Sequence, residues 1–172
     1  ISEVSLKMAN TIKNVNLVLT AFFAFLVALV WMPFGFHLGG VLEEWGTLGS
    51  FVHNGVFFIA DSSSPLAAHY LRPLTIFPHA VAFKLNPNSF FYWHLIAILS
   101  IFIKGVSLAK ICHIRTKNIL FSLMCGTLFI LYPADTMQLS FRSLHINVAL
   151  ALMCVALLLH HLSCAKIDKK AS

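Results

Sequence analysis

Four apolar runs constrain the fold of this chain more than any other feature. They lie at Val15–Met32, Ser89–Ala109, Asn118–Tyr132 and Leu144–Leu162. A helix that crosses about 30 Å of hydrocarbon needs roughly 20 residues, because each residue adds about 1.5 Å along the axis. Backbone N–H and C=O groups in lipid must also pair within the protein, which favours helices. The runs therefore predict an all-α, polytopic membrane bundle of about four transmembrane helices.

The composition also argues against a water-soluble protein. The chain has 172 residues, of which 59% are hydrophobic and 10% are charged. A soluble domain carries about 25% charged residues, and one small domain has too little interior to hide so much apolar surface. We therefore expect residues 1–172 to form a single transmembrane domain. The first run is longer than the core of a signal peptide, so we expect it to be retained.

Two further apolar stretches do not fit a full membrane crossing. Leu66–Leu85 contains Arg72 and Lys84, and a basic residue at the centre of a span costs about 2.5 to 3.5 kcal/mol. Thr47–Ala60 is only 14 residues long, with His53 near its middle. We expect interfacial helices, or a re-entrant segment, in the long first outer loop.

The positive charges predict the orientation of the bundle, because Lys and Arg accumulate in cytoplasmic loops. A cytoplasmic N-terminus puts nine basic residues inside: Lys7, Lys13, Lys104, Lys110, Arg115, Lys117, Lys166, Lys169 and Lys170. Only Arg72, Lys84 and Arg142 then lie outside. Lys104 lies within a span and is expected to reach the inner boundary with its long side chain. Both termini are thus expected on the cytoplasmic side of a plasma (inner) membrane or of the endoplasmic reticulum.

The same orientation places most of the chemically versatile side chains outside. Four of the acids fall there, namely Glu43, Glu44, Asp61 and Asp135, as do six histidines, His37, His53, His69, His79, His94 and His145. The four cysteines lack metal-binding spacing and are expected to be reduced. The basic segment Lys110–Lys117 is expected to be an inner loop. The net charge of +6 indicates membrane lipids as partners, with no nucleic acid.

Four short motifs occur in a distinctive order. They read VLEEWG at 41–46, HYLRPLTIF at 69–77, LNPNSFFYWHL at 85–95 and LYPADTMQLSFRS at 131–143. In this order the chain resembles the C superfamily of membrane glycosyltransferases, which use polyprenyl-phosphate sugar donors. The likeness covers nearly the whole chain. Members of that family continue for several more helices, so the resemblance implies the N-terminal portion of a longer enzyme or a shortened relative.

The resemblance implies a catalytic site on the outer face of the membrane. Glu43 or Glu44 would act as the base for an acceptor hydroxyl, and Arg72 would bind the phosphate of the donor. The remaining substrate-binding candidates are His53, His69 and His79. The acidic pair is also a possible site for a divalent cation, Mg²⁺ or Mn²⁺, which prefer oxygen ligands. The acceptor is a lipid, a glycan or a protein.

Three other interpretations stay open at this point. The acidic pair is also compatible with a solvated loop, and Arg72 with an anchor for lipid headgroups. A haem-binding redox subunit would need two facing histidines, for which His94 and His145 are the candidates. The chain is also compatible with a non-catalytic small subunit that packs against further membrane chains in a larger complex.

Overall fold

A computed structural model describes residues 2–36, 42–55, 73–132 and 143–171 of the chain. The regular elements within these ranges are all helices, which confirms the all-α prediction for them. They are α1 (Ser2–Val30), α2 (Met32–Gly35), α3 (Leu42–Asn54), α4 (Pro73–Leu85), α5 (Phe91–Thr116), α6 (Ile119–Ile130) and α7 (Leu144–Ala171). Each of the four apolar runs predicted from the sequence coincides with the apolar part of a helix.

Two of these helices are long and apolar enough to cross a membrane. They are α5 over its 26 residues and α7 over the 21 residues Leu144–Cys164. The apolar part of α1, Asn14–Val30, and all of α6 are shorter. The 12 residues of α6 extend about 18 Å, less than the thickness of the hydrocarbon layer. A bundle of four crossings therefore stays a prediction.

The prediction of an inner loop at Lys110–Lys117 is wrong for most of this segment, because α5 continues to Thr116. His113 and Arg115 lie in the last turn, where positive side chains interact favourably with the helix dipole. Lys117 adopts a positive φ of 55°, a conformation that commonly ends a helix. Asn118 then caps α6 by accepting a hydrogen bond from the Phe121 backbone N–H at 3.1 Å. Only two residues thus connect α5 to α6.

Helices also form in the two stretches that were expected in the first outer loop. α3 begins at Leu42, before the predicted stretch, and α4 begins at Pro73. Proline suits the first turn of a helix because its fixed φ is helical and its missing N–H needs no partner there. Residues 56–72, which complete these stretches, lie outside the described residues.

The chain divides into two compact units. Unit 1 comprises Ile1–Leu29, Ile101–Pro133 and Ala151–Ser172, and unit 2 comprises Val30–Ser100 and Ala134–Leu150. Both α5 and α7 supply residues to each unit, so the division passes through helices and not through a linker. Whether the chain behaves as a single transmembrane domain stays a prediction.

Small residues allow helices to approach closely in unit 1. A Cβ atom added to Gly126 of α6 would lie 2.9 Å from the carbonyl oxygen of Gly105 and 3.1 Å from Cβ of Ala109, both on α5. Phe23 of α1 borders both glycines and is fully buried. Glycine at these two positions therefore lets α5 and α6 pack backbone against backbone, as is common for helices in membranes.

The outward faces of the helices are apolar. On α6, Ser122, Gly126 and Ile130 form a buried stripe, whereas the opposite side exposes Leu120, Phe121, Met124 and Leu128. Only 17% of the most apolar window of α7 is buried within the chain, compared with 50% for α5. The surface helix of a water-soluble protein would carry polar residues on such a face.

Unit 2 has its own hydrophobic core. It consists of Phe51, Ile76, Ala82, Trp93, Ala97 and Leu144. The Phe51 ring stacks on Phe83 with centroids 5.2 Å apart and lies 6.2 Å from Trp93. This core joins α3 and α4 to the first turns of α5 and α7.

Candidate functional site

The described parts of the first three motifs belong to unit 2, whereas Leu131 and Tyr132 of the fourth motif belong to unit 1. Trp45, from the first motif, meets the ring of Phe90 edge-on at 5.1 Å. Trp93, from the third motif, lies 5.0 Å from His79 of α4. His79 in turn lies 6.4 Å from His145, near the start of α7. Segments up to about a hundred positions apart in the sequence thus share one cluster of aromatic and imidazole rings.

The acidic pair lies in a helix and not in a loop. Glu43 and Glu44 are the second and third residues of α3, where the partial positive charge of the helix N-terminus favours carboxylates. Their side chains lie outside the described part of the structure. The neighbouring Trp45 is 55% exposed.

Arg72 and His69 lie outside the described residues. Arg72 directly precedes Pro73, the first residue of α4. α4 packs against α3. This packing agrees with a site shared by the segments that carry Arg72 and the acidic pair. The meeting of the guanidinium with the carboxylates stays a prediction.

The two histidine candidates that are described differ in their surroundings. His53, in the last turn of α3, is exposed. His79 is 7% exposed and packs against Trp93 inside unit 2. Approach from solvent is therefore open at His53 and restricted at His79, and their contact with a substrate stays a prediction.

The structure buries two polar residues whose burial was not predicted from the sequence. His94, which was expected on the outer side, is 1% exposed. Asn147, one turn after the start of α7, is also buried. The ring that lies near His145 is His79, whereas the haem hypothesis paired His145 with His94. A polar residue such as Asn147 in an apolar run was the signal available from the sequence.

The metal hypothesis stays untested. Among the side chains that the structure describes, no group of three or more His, Cys, Asp or Glu residues is arranged to hold a metal ion. The side chains of Glu43 and Glu44 are not among them. The donor chemistry of the pair still fits a cation that prefers oxygen ligands, such as Mg²⁺ or Mn²⁺.

The chain matches no family model, no curated protein and no solved structure. The likeness to membrane glycosyltransferases therefore depends on the order of the four motifs.

Outside unit 2, the most unusual polar residue is Lys104 of α5. Its side chain is 2% exposed, and its Nζ lies 5.7 Å from the centroid of the Phe129 ring. The prediction that this side chain reaches the inner boundary is therefore wrong, because it lies within unit 1, against α6. The four cysteines, Cys112, Cys125, Cys154 and Cys164, are all free in the structure, and their reduced state stays a prediction.

Proposed function

We propose that this protein is a membrane glycosyltransferase that transfers a sugar from a polyprenyl-phosphate donor to a lipid, glycan or protein acceptor at the non-cytoplasmic face. The observation that carries this proposal is that the first and third motifs meet in unit 2, beside α4. Trp45 of α3 contacts Phe90, which directly precedes α5, and Trp93 of α5 contacts His79 of α4. A site that uses both Glu43 and Arg72 requires these segments to lie together.

The proposal includes four membrane crossings with cytoplasmic termini. Exposed leucines and phenylalanines on α6 and α7 support contact with lipid tails. The plasma (inner) membrane and the endoplasmic reticulum both suit this arrangement.

The proposed reaction requires a base and a cation. Glu43 or Glu44 removes the proton from the acceptor hydroxyl, and the resulting oxygen forms a bond to the anomeric carbon of the sugar. The bond from that carbon to the phosphate oxygen breaks, and the polyprenyl phosphate leaves with the electron pair. Arg72 holds this phosphate through a forked, charge-assisted contact. A well-placed base accelerates such a step by about 10²- to 10⁴-fold.

The helical position of the acidic pair suggests separate roles for its members. Consecutive positions of a helix do not face each other, so one of residues 43 and 44 is better placed than the other to serve as the base. A divalent cation held at this pair would stabilise negative charge on the donor phosphate. We therefore expect single substitutions of Glu43 and Glu44 to have unequal effects.

Transfer by the reconstituted protein tests the proposal. The full chain is incubated in vesicles with a panel of radiolabelled polyprenyl-phosphate hexoses and pentoses, and labelled product is measured. We expect transfer by the unaltered chain, and loss of it in the double variant E43Q/E44Q and in Arg72→Gln. Lys84→Gln, which removes an exposed charge from α4, is the matched control and should keep transfer.

Two results would contradict this proposal. Full transfer by E43Q/E44Q and by Arg72→Gln would remove the roles given to these residues. Absence of transfer from every donor, together with co-purification of a larger membrane complex, would instead support a non-catalytic subunit. Membrane insertion of each variant is checked by extraction with alkaline carbonate, which leaves integral proteins in the membrane.

A further inference from the structure

Arginine and histidine meet across two helices in unit 1. Arg115 lies in the last turn of α5, and its Nη2 is 3.4 Å from Nδ1 and 3.5 Å from Nε2 of His161 on α7. The two residues are 46 positions apart in the sequence. This contact therefore fixes the end of α5 beside α7.

The contact leaves most of the guanidinium available for a ligand. Arginine has five N–H donors and no acceptor, whereas a neutral imidazole has one acceptor nitrogen. Within the part of the chain that the structure describes, the side chain within hydrogen-bonding distance of the guanidinium is His161, whose two ring nitrogens are almost equally far from Nη2. Arg115 is also exposed. The guanidinium thus lies beside the imidazole and keeps N–H donors available for a ligand.

A second cation is held close to Arg115 by a short turn. Thr116 Oγ1 donates to the Cys112 carbonyl at 2.9 Å and accepts from the Asn118 backbone N–H at 3.3 Å. Lys117, between them, is exposed. These bonds fix the backbone that presents Lys117, two residues after Arg115.

Exposed apolar surface begins directly beyond this turn. Leu120 is 70% exposed and Met124 is 63% exposed on the same side of α6, because residues four apart lie on one face of a helix. Leu162, next to His161 on α7, is also exposed. A cluster of cations that adjoins exposed apolar helices matches a molecule with an anionic head and apolar tails.

We infer that Arg115, Lys117 and His161 form a binding site for the phosphate of an anionic glycerophospholipid in the cytoplasmic leaflet. The guanidinium takes two phosphate oxygens in a forked contact, and Lys117 adds a second positive charge. The acyl chains lie along the exposed face of α6 that carries Leu120 and Met124. This inference uses the proposed membrane orientation and does not depend on sugar transfer.

Retention of lipid by the purified chain tests the site. The full chain is taken from bilayers of phosphatidylcholine and phosphatidylglycerol, and native mass spectrometry compares the bound lipids. We expect phosphatidylglycerol to be preferred. Arg115→Gln should reduce this preference about fivefold, the effect of one basic residue at an anionic surface. Arg115→Lys keeps the positive charge but loses the forked contact. Its preference for phosphatidylglycerol should therefore lie between those of the unaltered chain and of Arg115→Gln.

Control variants separate a specific site from general charge attraction. Lys84→Gln removes one exposed positive charge from unit 2 and should leave the preference unchanged. An equal preference in the unaltered chain and in Arg115→Gln, or an equal loss in Lys84→Gln, would overturn the inference. His161→Gln is the second variant of the site. Size-exclusion chromatography shows whether each variant is folded.

Competition with inorganic phosphate distinguishes a lipid site from a site for a soluble anion. Because the acyl chains contribute to binding, we expect a millimolar excess of inorganic phosphate to leave phosphatidylglycerol bound. Displacement of the lipid by inorganic phosphate at that level would contradict the lipid assignment. High salt should weaken the preference only partly, since apolar contacts are not screened.

Discussion

The ammonium of Lys104 lies 5.7 Å from the centroid of the Phe129 ring, inside unit 1. Burial of an ammonium is unfavourable unless neighbouring groups compensate for lost hydration. The face of an aromatic ring carries negative charge density and attracts a cation at this distance. The pair thus joins α5 to α6 within unit 1.

We expect Phe129→Leu to lower the free energy of unfolding by about 2 kcal/mol, because it removes a desolvated cation–π contact and some packed volume. Phe121→Leu on the same helix is the matched control, since Phe121 is largely exposed. Unfolding is measured in mixed micelles with increasing denaturing detergent. Equal stability of the two variants would show that the Phe129 ring does not stabilise the lysine.

A second prediction concerns the close approach of α5 and α6. Gly126→Ala puts a methyl group against the Phe23 ring and 2.9 Å from the carbonyl oxygen of Gly105, which disturbs the packing of the three helices at a cost of about 1 to 3 kcal/mol. Gly49→Ala in α3 is the control, because nothing lies within 4 Å of its added Cβ. Alanine at position 49 should be neutral or slightly stabilising. Comparable losses of stability in both variants would contradict close packing at Gly126.

The helices could be predicted from the sequence, whereas the burial of individual polar residues could not. The apolar runs fix the type and approximate position of α1, α5, α6 and α7 because length and composition are local properties. The environment of Lys104 depends on Phe129, which is distant in the sequence. The burial of His94 could not be predicted either, because it depends on segments that surround the start of α5.

The candidate site was predicted only as a set of segments. Unit 2 brings together the described parts of the first three motifs, whereas their role in a site stays a prediction. The helical position of Glu43 and Glu44 could not be predicted from the sequence, because glycines lie on both sides of this short stretch. The ring contact between His79 and His145 could not be predicted from the sequence either, because 66 positions separate the two residues.

The two described histidine candidates should differ in their effect on stability. His79→Ala removes a buried ring that packs against Trp93, so we expect a loss of about 2 kcal/mol or more. His53→Ala in α3 removes an exposed ring and should change stability by less than about 0.5 kcal/mol. Unfolding in denaturing detergent measures both variants. A stability of His79→Ala equal to that of the unaltered chain would show that His79 does not support the core.

Labelling of single cysteines tests the orientation on which both proposals depend. Cys164 of α7 is exposed and is expected on the cytoplasmic side, whereas Val52 of α3 is exposed and is expected on the opposite side. A membrane-impermeant maleimide should therefore label Cys164 only in inside-out vesicles. It should label Val52→Cys, in a chain with the other accessible cysteines replaced, only in right-side-out vesicles.

The buried Cys154 serves as an internal control in these vesicles. It is 3% exposed, so it should react with the maleimide only after denaturation, whichever way the vesicles are oriented. Labelling of Cys164 and Val52→Cys from the same side would place α3 and the end of α7 on one face of the membrane. An odd number of crossings between them would then be excluded. If both are labelled in inside-out vesicles, the acidic pair faces the cytoplasm, where a donor presented on the outer leaflet does not reach it.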